Sequence, residues 1–541
     1  MKNIAIRIKN APGGNMETII LSSTLLIIFF AIMIAVGIYT RKSASGVMGF
    51  VLGGRSVGPW LTAFAFGTSY FSAVIFVGYA GQFGWLYGMS ATWAGLGNAF
   101  IGSLLAWNVL GRRTRIMTQS LDAKTMPDFF GKRYESNALK IFASIIVFIF
   151  LIPYTSSLYN GLSSLFGLVF DIPYWVVITV MAVLTGIYVI FGGYMATAIN
   201  DFIQGIIMLF GIVVVVLAVV KDNGGLLEAT KSLSKIPAEG WEQGAFSSFF
   251  GPDPMSLLFV VILTSLGTWG LPQMVGKFYA IKSENDIHKG TVISTLFAII
   301  VAGGCYFLGG FGRLYADKIE YSTNGTPLYD SIVPTMLSSL SPIIIAIVIV
   351  LVLAASMSTL SSLVLTSSST FTLDVIKPLK KKEMNEHKQV FVMRIFIVFF
   401  IAVSAVLAII KDSFPGLTFI AQMMGVSWGA LAGAFLAPFL YGLYFKGISK
   451  ASVYVCFVWG CLIAVVQFVI TVFGIDISGA GTIIRFCFKS SINSGVIAML
   501  GSLVIVPLIS IFTKKQDKNT LTRMFMCFEE KVNVKKKQSL E

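Results

Sequence analysis

The sequence predicts an all-α polytopic membrane protein, and two observations support that class. Of its 541 residues, 56% are hydrophobic and 12% are charged, about half the charged share of roughly 25% in globular proteins. Residues 56–111 and 331–373 contain no aspartate, glutamate, lysine or arginine over 56 and 43 positions, whereas about 20 apolar residues span a bilayer. This composition excludes a soluble enzyme, a nucleic-acid-binding module and a disordered chain.

Charge gaps and turn residues divide the chain into about thirteen transmembrane helices. Their length suits tilted helices, since a β-barrel would show ten-residue strands of alternating polarity. The predicted spans are residues 17–40, 60–83, 88–110, 138–166, 173–196, 198–220, 255–280, 290–312, 340–372, 392–411, 416–443, 451–474 and 491–513.

The net charge of +15 lies in short loops between the apolar runs. With an external N-terminus, 29 of the 40 lysines and arginines fall in inner segments and 11 in outer ones. Because basic loops mark the cytoplasmic side, we expect a multi-pass protein of the plasma membrane with its N-terminus outside and its C-terminus inside. Lys2, Arg7 and Lys9, on the expected outer side, are local exceptions to this rule. The charge pattern does not indicate a nucleic-acid partner.

Polar residues interrupt the second predicted span near its centre. Gly67, Thr68, Ser69 and Ser72 lie within six positions of each other. One reading is a broken helix whose freed carbonyl groups coordinate a cation. The other is a continuous helix whose small residues pack against neighbouring helices. The local sequence leaves both readings open.

The seventh span predicts a second interruption. Gly267, Gly270 and Pro272 lie within six residues, and proline both lacks an N–H group and blocks the carbonyl one turn earlier. We therefore expect a break near residues 269–272. The second and seventh spans are five apart, which fits two inverted five-helix repeats with an interrupted helix in each.

The ninth span carries a dense group of hydroxyl residues, with Ser358, Thr359, Ser361 and Ser362 in just over one turn. Hydroxyl and carbonyl oxygens suit hard cations, so this group is a candidate ion site. The alternative is a packing face of small residues.

Two ionisable residues accompany these interruptions. Asp201 follows the junction of the fifth and sixth spans, where it is expected to satisfy backbone donors at a helix N-terminus, to bind a cation, or both. Lys277 lies near the inner end of the seventh span, where we expect it to snorkel or to gate rather than to bind solute.

Several of these segments together resemble the sodium:solute symporter family, which includes sodium/glucose, sodium/proline and sodium/sialic acid transporters. The matching segments, besides the second span, are FVLGGRSVGPW at 50–60, GGYMATAINDFIQG, GLPQMVGKFYA, LAASMSTLSSLVLTSSSTFTLDV and the GxxLAPFLYGLYFKG segment that ends near Gly447. The resemblance implies a leucine-transporter-type 5+5 inverted repeat. It divides the chain into a tail (1–16), one additional helix (17–40), two five-helix repeats (60–220 and 255–443), two additional helices (451–513) and a basic cytoplasmic tail (514–541).

The resemblance also implies sodium as the coupling ion and no other cofactor. A first sodium site would use the carbonyls of Thr68, Phe71 and Ala355 with the hydroxyls of Ser358 and Thr359. Some relatives hold a second sodium nearer the cytoplasm. In this chain that possible site would comprise Asp201, Ser358, Ser361 and Ser362.

The solute site implied by the resemblance lies beside the two helix breaks. Its candidate residues are Ser72, Ile75, Ser90, Tyr154, Trp269 and Gln273. Ile75 and Ala94 stand where sugar-transporting relatives carry polar side chains, which argues against a galactose-type pocket. No arginine stands near Tyr154, as one does in sialic acid relatives, so an anionic solute would have to use helix N-termini or hydroxyl groups.

The function that follows from the resemblance is secondary active symport. Sodium would drive import of a small organic solute, such as a sugar, sialic acid, another organic acid or an amino acid, by alternating access. A sodium- or proton-dependent channel and a solute sensor of the same fold are the alternatives. The expected partners are the solute, sodium ions and the lipid bilayer. The sequence shows no nucleophile–base pair, so we do not expect an enzyme.

Overall fold

The computed structural model describes residues 16–166, 169–170, 172–241, 243–322, 325–380, 383–410 and 420–529, without the side chains of residues 163, 164, 420 and 421. The expected N-terminal tail, apart from Met16, and the last twelve residues of the basic tail lie outside the described residues. The described part of that tail contains the helix Lys518–Met526.

The described chain is helical throughout, with only isolated β-bridges between its loops. The principal helices are α1 (Met16–Tyr39), α2 (Pro59–Thr68), α3 (Ala80–Tyr87), α4 (Asn137–Phe166), α5 (Tyr174–Asp222), α6 (Pro254–Leu266), α7 (Pro272–Ala280), α8 (Glu284–Ala298), α9 (Pro342–Thr370), α10 (Glu386–Ile410), α11 (Ile420–Tyr444), α12 (Lys450–Phe473) and α13 (Ser491–Phe512).

Shorter elements connect these helices. The short α-helices are Val47–Leu52, Thr92–Gly97, Arg112–Ser120, Met126–Arg133, Leu226–Ser234, Gly304–Gly309, Tyr329–Leu337, Lys377–Leu379 and Thr482–Phe488. The π-helices are Val74–Tyr79, Asn98–Leu105, Trp107–Gly111, Ile299–Gly303 and Phe371–Ile376. Such π-turns often occur at functional sites.

Among the described residues, ten helices are long and apolar enough to cross a membrane, and the bent pair α6–α7 makes eleven. Two of the ten are long enough to contain more than one predicted span. The 49 residues of α5 would extend about 74 Å as a straight helix, more than twice the hydrocarbon thickness of about 30 Å. A left-handed φ of 54° at Gly193 breaks α5, three residues before the predicted boundary. The number thirteen and the inverted repeat remain predictions.

The helices form a central group and a periphery. The most apolar segment of α11 is 94% buried and that of α9 is 78% buried, against 17% for α1 and 28% for α12. Helix α9 packs against α5, α4 and α1, and α11 packs against α13, α12 and α4. Large apolar side chains such as Phe210 and Leu217 stay exposed on the outer surface, as lipid contact requires. The site must therefore lie among α4, α5, α9, α11 and the broken helices.

Candidate functional site

The first break is the segment 69–73, between the end of α2 at Thr68 and the π-helix Val74–Tyr79. Because the helix stops here, the carbonyl groups of Thr68 and Phe71 lack their usual partners one turn later. Of the two readings that the local sequence left open, the structure therefore shows the broken helix.

Five oxygen atoms converge where α9 passes the first break. The hydroxyl Oγ of Ser358 lies 3.2 Å from Thr68 O and 3.0 Å from Ala355 O, and its one proton can be donated to either. The hydroxyl Oγ1 of Thr359 reaches Thr68 O at 3.0 Å, Phe71 O at 3.2 Å and Ala355 O at 3.2 Å. We call these five residues the oxygen cluster, and all of them are fully buried.

The oxygen cluster has the chemistry of a site for a hard monovalent cation. A hydroxyl group has one proton and two lone pairs, so its proton can turn away while its oxygen faces an ion. Carbonyl and hydroxyl oxygens are preferred by hard cations. The five residues assigned to the first sodium site by resemblance are thus brought together, although their binding of sodium is a proposal.

Further contacts fasten α9 to the first break. The amide of Ala73 donates to Ser356 Oγ at 3.2 Å. The hydroxyl groups of Ser69 and Ser362 lie 3.0 Å apart. Helix α4 approaches so closely that a Cβ atom added to Gly161 would lie 2.8 Å from the Cβ of Ala73. The break is held on both sides, which fixes the direction of its carbonyl groups.

Two of the four residues of the possible second sodium site contact a lysine instead. Lys277 Nζ lies 3.5 Å from Asp201 Oδ2 and 3.0 Å from Ser362 Oγ. Ser361 Oγ donates within α9 to Ser358 O at 2.9 Å. The expectation that Lys277 snorkels is wrong, because its side chain is buried. Asp201 lies eight residues beyond Gly193, inside α5, so its expected capping role is wrong too.

A second group of polar side chains lies beside the first break. The Tyr154 hydroxyl of α4 faces the Ser72 hydroxyl and the indole of Trp428 in α11, and the two rings meet edge to face at 6.0 Å. We call these three residues the Tyr154 cluster. None of their polar groups makes a hydrogen bond of normal geometry to the described residues. Buried polar groups without protein partners favour water or a ligand.

Trp428 was not predicted from the sequence. It stands in GVSWGALAGAF, a segment otherwise made of small and apolar residues. A large side chain with a polar N–H group in such a segment was the sequence signal that could have identified it. Its ring lies beside the second break, the 3₁₀ segment Gly267–Gly270 between α6 and α7, since a Cβ atom added to Gly267 would lie 3.8 Å from Cε3. The Tyr154 cluster therefore lies beside both breaks.

Two of the other predicted solute residues lie near these groups. Ile75 is buried in the π-helix directly after the first break. Gln273 is buried in the first turn of α7, where neither atom of its amide group has a hydrogen-bond partner among the described residues. Gln273, Lys277 and Ser362 line a narrow cleft of about 40 Å³. The second break is present where the sequence predicted it, and α6 and α7 meet there at 47°.

The remaining two solute candidates have other surroundings. Ser90 follows the fourteen residues of Val74–Tyr79 and α3, about 20 Å along a helix from the first break. Its hydroxyl donates to Tyr87 O at 2.8 Å. Trp269 donates from Nε1 to Ile101 O at 3.0 Å, so its indole N–H anchors the second break to a neighbouring helix. The structure does not bring either residue into the Tyr154 cluster.

The chain is similar to known transporters over nearly its whole length. It is 27% identical to the osmoregulated proline transporter OpuE of Bacillus subtilis (strain 168), over 94% of this chain and 98% of the relative. It is 28% identical to sodium/proline symporter 2 of Staphylococcus saprophyticus, over 82% and 85%. It is 29% identical to the sodium/proline symporter of Staphylococcus aureus (strain JH9), over 86% and 88%.

The fold has a solved counterpart. A Na⁺-coupled sialic acid symporter in a substrate-bound, outward-open state superposes with a TM-score of 0.70 at 17% identity, over 92% of this chain and 99% of the other. Its low identity shows the shared fold alone. The model of the sodium:solute symporter family matches residues 50–460, a range that contains both breaks, the oxygen cluster and the Tyr154 cluster. The chain is thus a multi-pass membrane protein that belongs to the sodium:solute symporter family.

Proposed function

We propose that this chain is a secondary active symporter that couples sodium entry to import of a small organic solute by alternating access. The observation that carries the proposal is the oxygen cluster, in which three hydroxyl-to-carbonyl distances of 3.0–3.2 Å join α9 to the first break. A sodium ion at this point would hold together two elements that are distant in the sequence.

The driving force is sufficient for concentrative uptake. One charge crossing 100 mV supplies about 2.3 kcal/mol, and a tenfold sodium gradient adds about 1.4 kcal/mol. Their sum of about 3.7 kcal/mol supports roughly 500-fold accumulation of a neutral or zwitterionic solute for each sodium ion.

Coupling between ion and solute follows from their shared backbone. Phe71 supplies a carbonyl to the oxygen cluster, and the next residue, Ser72, supplies a hydroxyl to the Tyr154 cluster. An ion that fixes the first break therefore also orients the solute-facing hydroxyl. Such coupling is reciprocal, so solute must tighten sodium binding by the same factor.

The solute we favour is a small zwitterionic amino acid, with proline as the first to test. The relatives reported above are named for proline transport, and no charged side chain belongs to the Tyr154 cluster. A zwitterion could use the hydroxyls and the free backbone groups of the two breaks without a dedicated charge. Tyr154→Phe removes one unpartnered hydroxyl, and we expect a higher KM for solute with unchanged sodium dependence at saturating solute. An unaltered KM would exclude Tyr154 from the solute site.

The decisive experiment is uptake into proteoliposomes from a panel of proline, other amino acids, sialic acid, sugars and monocarboxylates, with and without a sodium gradient. The double variant Ser358→Ala, Thr359→Ala should raise the sodium concentration for half-maximal uptake at least tenfold. Ser368→Ala is the matched control, because its hydroxyl lies in the same helix and bonds only within it, to Leu365 O.

Three results would contradict the proposal. Uptake that needs no sodium would refute the coupling, and an unchanged sodium dependence in the double variant would refute the oxygen cluster as the ion site. Sodium or proton current without solute would favour the channel alternative. Solute binding without movement across the membrane would favour the sensor.

The proposed orientation places the N-terminus outside the plasma membrane and the C-terminus in the cytoplasm. It rests on the excess of basic residues in the loops assigned to the inner side. Single cysteines introduced at Ser43 and Ser478 into a cysteine-free background should react with a membrane-impermeant reagent from the inner and outer sides, respectively. The reverse labelling pattern would show that the N-terminus lies inside and the C-terminus outside.

A further inference from the structure

The Lys277 ammonium group lies where the family resemblance would put a second sodium ion. It is held by Asp201 Oδ2 at 3.5 Å and by Ser362 Oγ at 3.0 Å. The ring of Tyr194 lies 5.3 Å from Nζ and adds a cation–π contact. Both members of the ion pair are buried, with 4% and 0% of their side chains exposed.

The four residues of the possible second site are divided among other tasks. Ser358 belongs to the oxygen cluster. Ser361 donates to a carbonyl of its own helix. Asp201 and Ser362 both contact Lys277. These two members of the ligand set are thus already engaged by an ammonium group.

Charge balance leads to the same conclusion. Among the described residues, Asp201 forms its ion pair with Lys277 alone, and one protonated lysine neutralises it. A sodium ion added beside that ammonium would leave a net positive charge in a buried site. Two like charges a few ångströms apart repel strongly where water is excluded. The site therefore accepts one cation, and the chain supplies it.

We propose that Lys277 is an internal substitute for the second sodium, so that the chain binds one sodium ion and moves one in each transport cycle. This inference rests on the proposed function and specifies its stoichiometry. The ammonium connects α7 to α5 and α9, and Ser362 continues the contact to Ser69 in the first break. It thus links the mobile elements as an ion would, but its charge never leaves the protein.

The position of the cleft makes the proposal testable. Lys277 and Ser362 line the cleft that also contains Gln273. Asp201 Oδ2 lies 3.5 Å from the ammonium group of Lys277, so loss of that group would leave its carboxylate beside this cleft without a cation. Lys277→Met should therefore create the second sodium site that the natural chain lacks.

The test counts sodium ions bound to the purified full-length protein by equilibrium dialysis with radioactive sodium, so it needs no knowledge of the solute. We expect one ion per chain for the wild type and for Lys277→Arg, which keeps the charge. We expect two for Lys277→Met, and one again when Asp201→Asn is added to it. If the methionine variant does not fold, Lys277→Gln replaces it, because its amide can still donate to Ser362.

The outcomes separate this inference from the proposed function. Two sodium ions on the wild type would overturn the role of Lys277 and leave sodium coupling intact. A folded Lys277→Met or Lys277→Gln protein that still binds one ion would overturn it as well. A wild type that binds none would overturn sodium coupling itself, and the inference with it.

Discussion

The buried pair of Asp201 and Lys277 should behave as a unit when either residue is neutralised. Their charged atoms lie 3.5 Å apart, and both side chains are buried. At an effective dielectric constant of about 20, Coulomb's law gives an attraction of about 5 kcal/mol at that distance. Removing one partner leaves the other charge buried alone, which costs about 3–5 kcal/mol in comparable pairs. Asp201→Asn and Lys277→Met should each destabilise the fold by this order.

The double variant Asp201→Asn, Lys277→Met should be more stable than either single variant. It leaves no unpaired charge, because the replacement side chains are neutral and of similar size. Thermal unfolding of the purified proteins in detergent, followed by tryptophan fluorescence, measures the three differences. The buffer should contain choline in place of sodium, since sodium would neutralise Asp201 in the methionine variant. Adding sodium should then stabilise Lys277→Met and leave Asp201→Asn unchanged.

Additivity would refute this reasoning. If the effects of the two single variants sum to that of the double variant, the residues do not interact energetically. A loss below about 1 kcal/mol for each single variant would mean that water screens the pair, as it does for exposed pairs.

Two further pairs of variants test one packing contact and one hydrogen bond elsewhere in the fold. A Cβ atom at Gly84 in α3 would overlap Gly309 O, so Gly84→Ala should lower the thermal stability by at least the ~1–3 kcal/mol of an overpacked core. The control is Gly303→Ala, whose Cβ would meet nothing within 4 Å and which should fold normally. Equal stability of the two variants would show that the backbones at Gly84 and Gly309 can move apart. Thr125→Val removes the hydroxyl that donates to the buried carboxylate of Asp374 and should cost about 1–3 kcal/mol in the same assay. Thr125→Ser keeps the hydroxyl and should retain wild-type stability. If it loses as much stability as Thr125→Val, the loss comes from the changed side-chain shape and not from the hydrogen bond.

Much of the site could be predicted because its signals are local. A glycine and hydroxyl residues within a few positions marked the first break, and Pro272 marked the second. The hydroxyl-bearing residues of α9 were visible in the sequence as a cluster within one segment. These features depend on chain chemistry within a single element, which the sequence displays directly.

The rest depends on which helix faces meet. Lys277 and Asp201 are 76 residues apart, and no periodicity within α5 or α7 shows that their side chains point toward each other. Trp428 reaches the solute region only because α11 packs beside α4. The break in α5 was placed three residues late, because Tyr194, Met195 and Ala196 continue the apolar run beyond Gly193. Tertiary packing decides which side chains meet, and the pattern of a single sequence does not reveal that packing.

The oxygen cluster combines backbone carbonyl oxygens with side-chain hydroxyl oxygens, and this difference affects how sequence variation at its five positions should be interpreted. At Thr68, Phe71 and Ala355 the contributing atom belongs to the peptide group, so many side chains preserve it and tolerance there is set by volume. At Ser358 and Thr359 the contributing atom is the side chain itself. A saturation mutagenesis screen for growth on the solute should therefore find a broad range of accepted residues at the first three positions and almost exclusively serine or threonine at the other two.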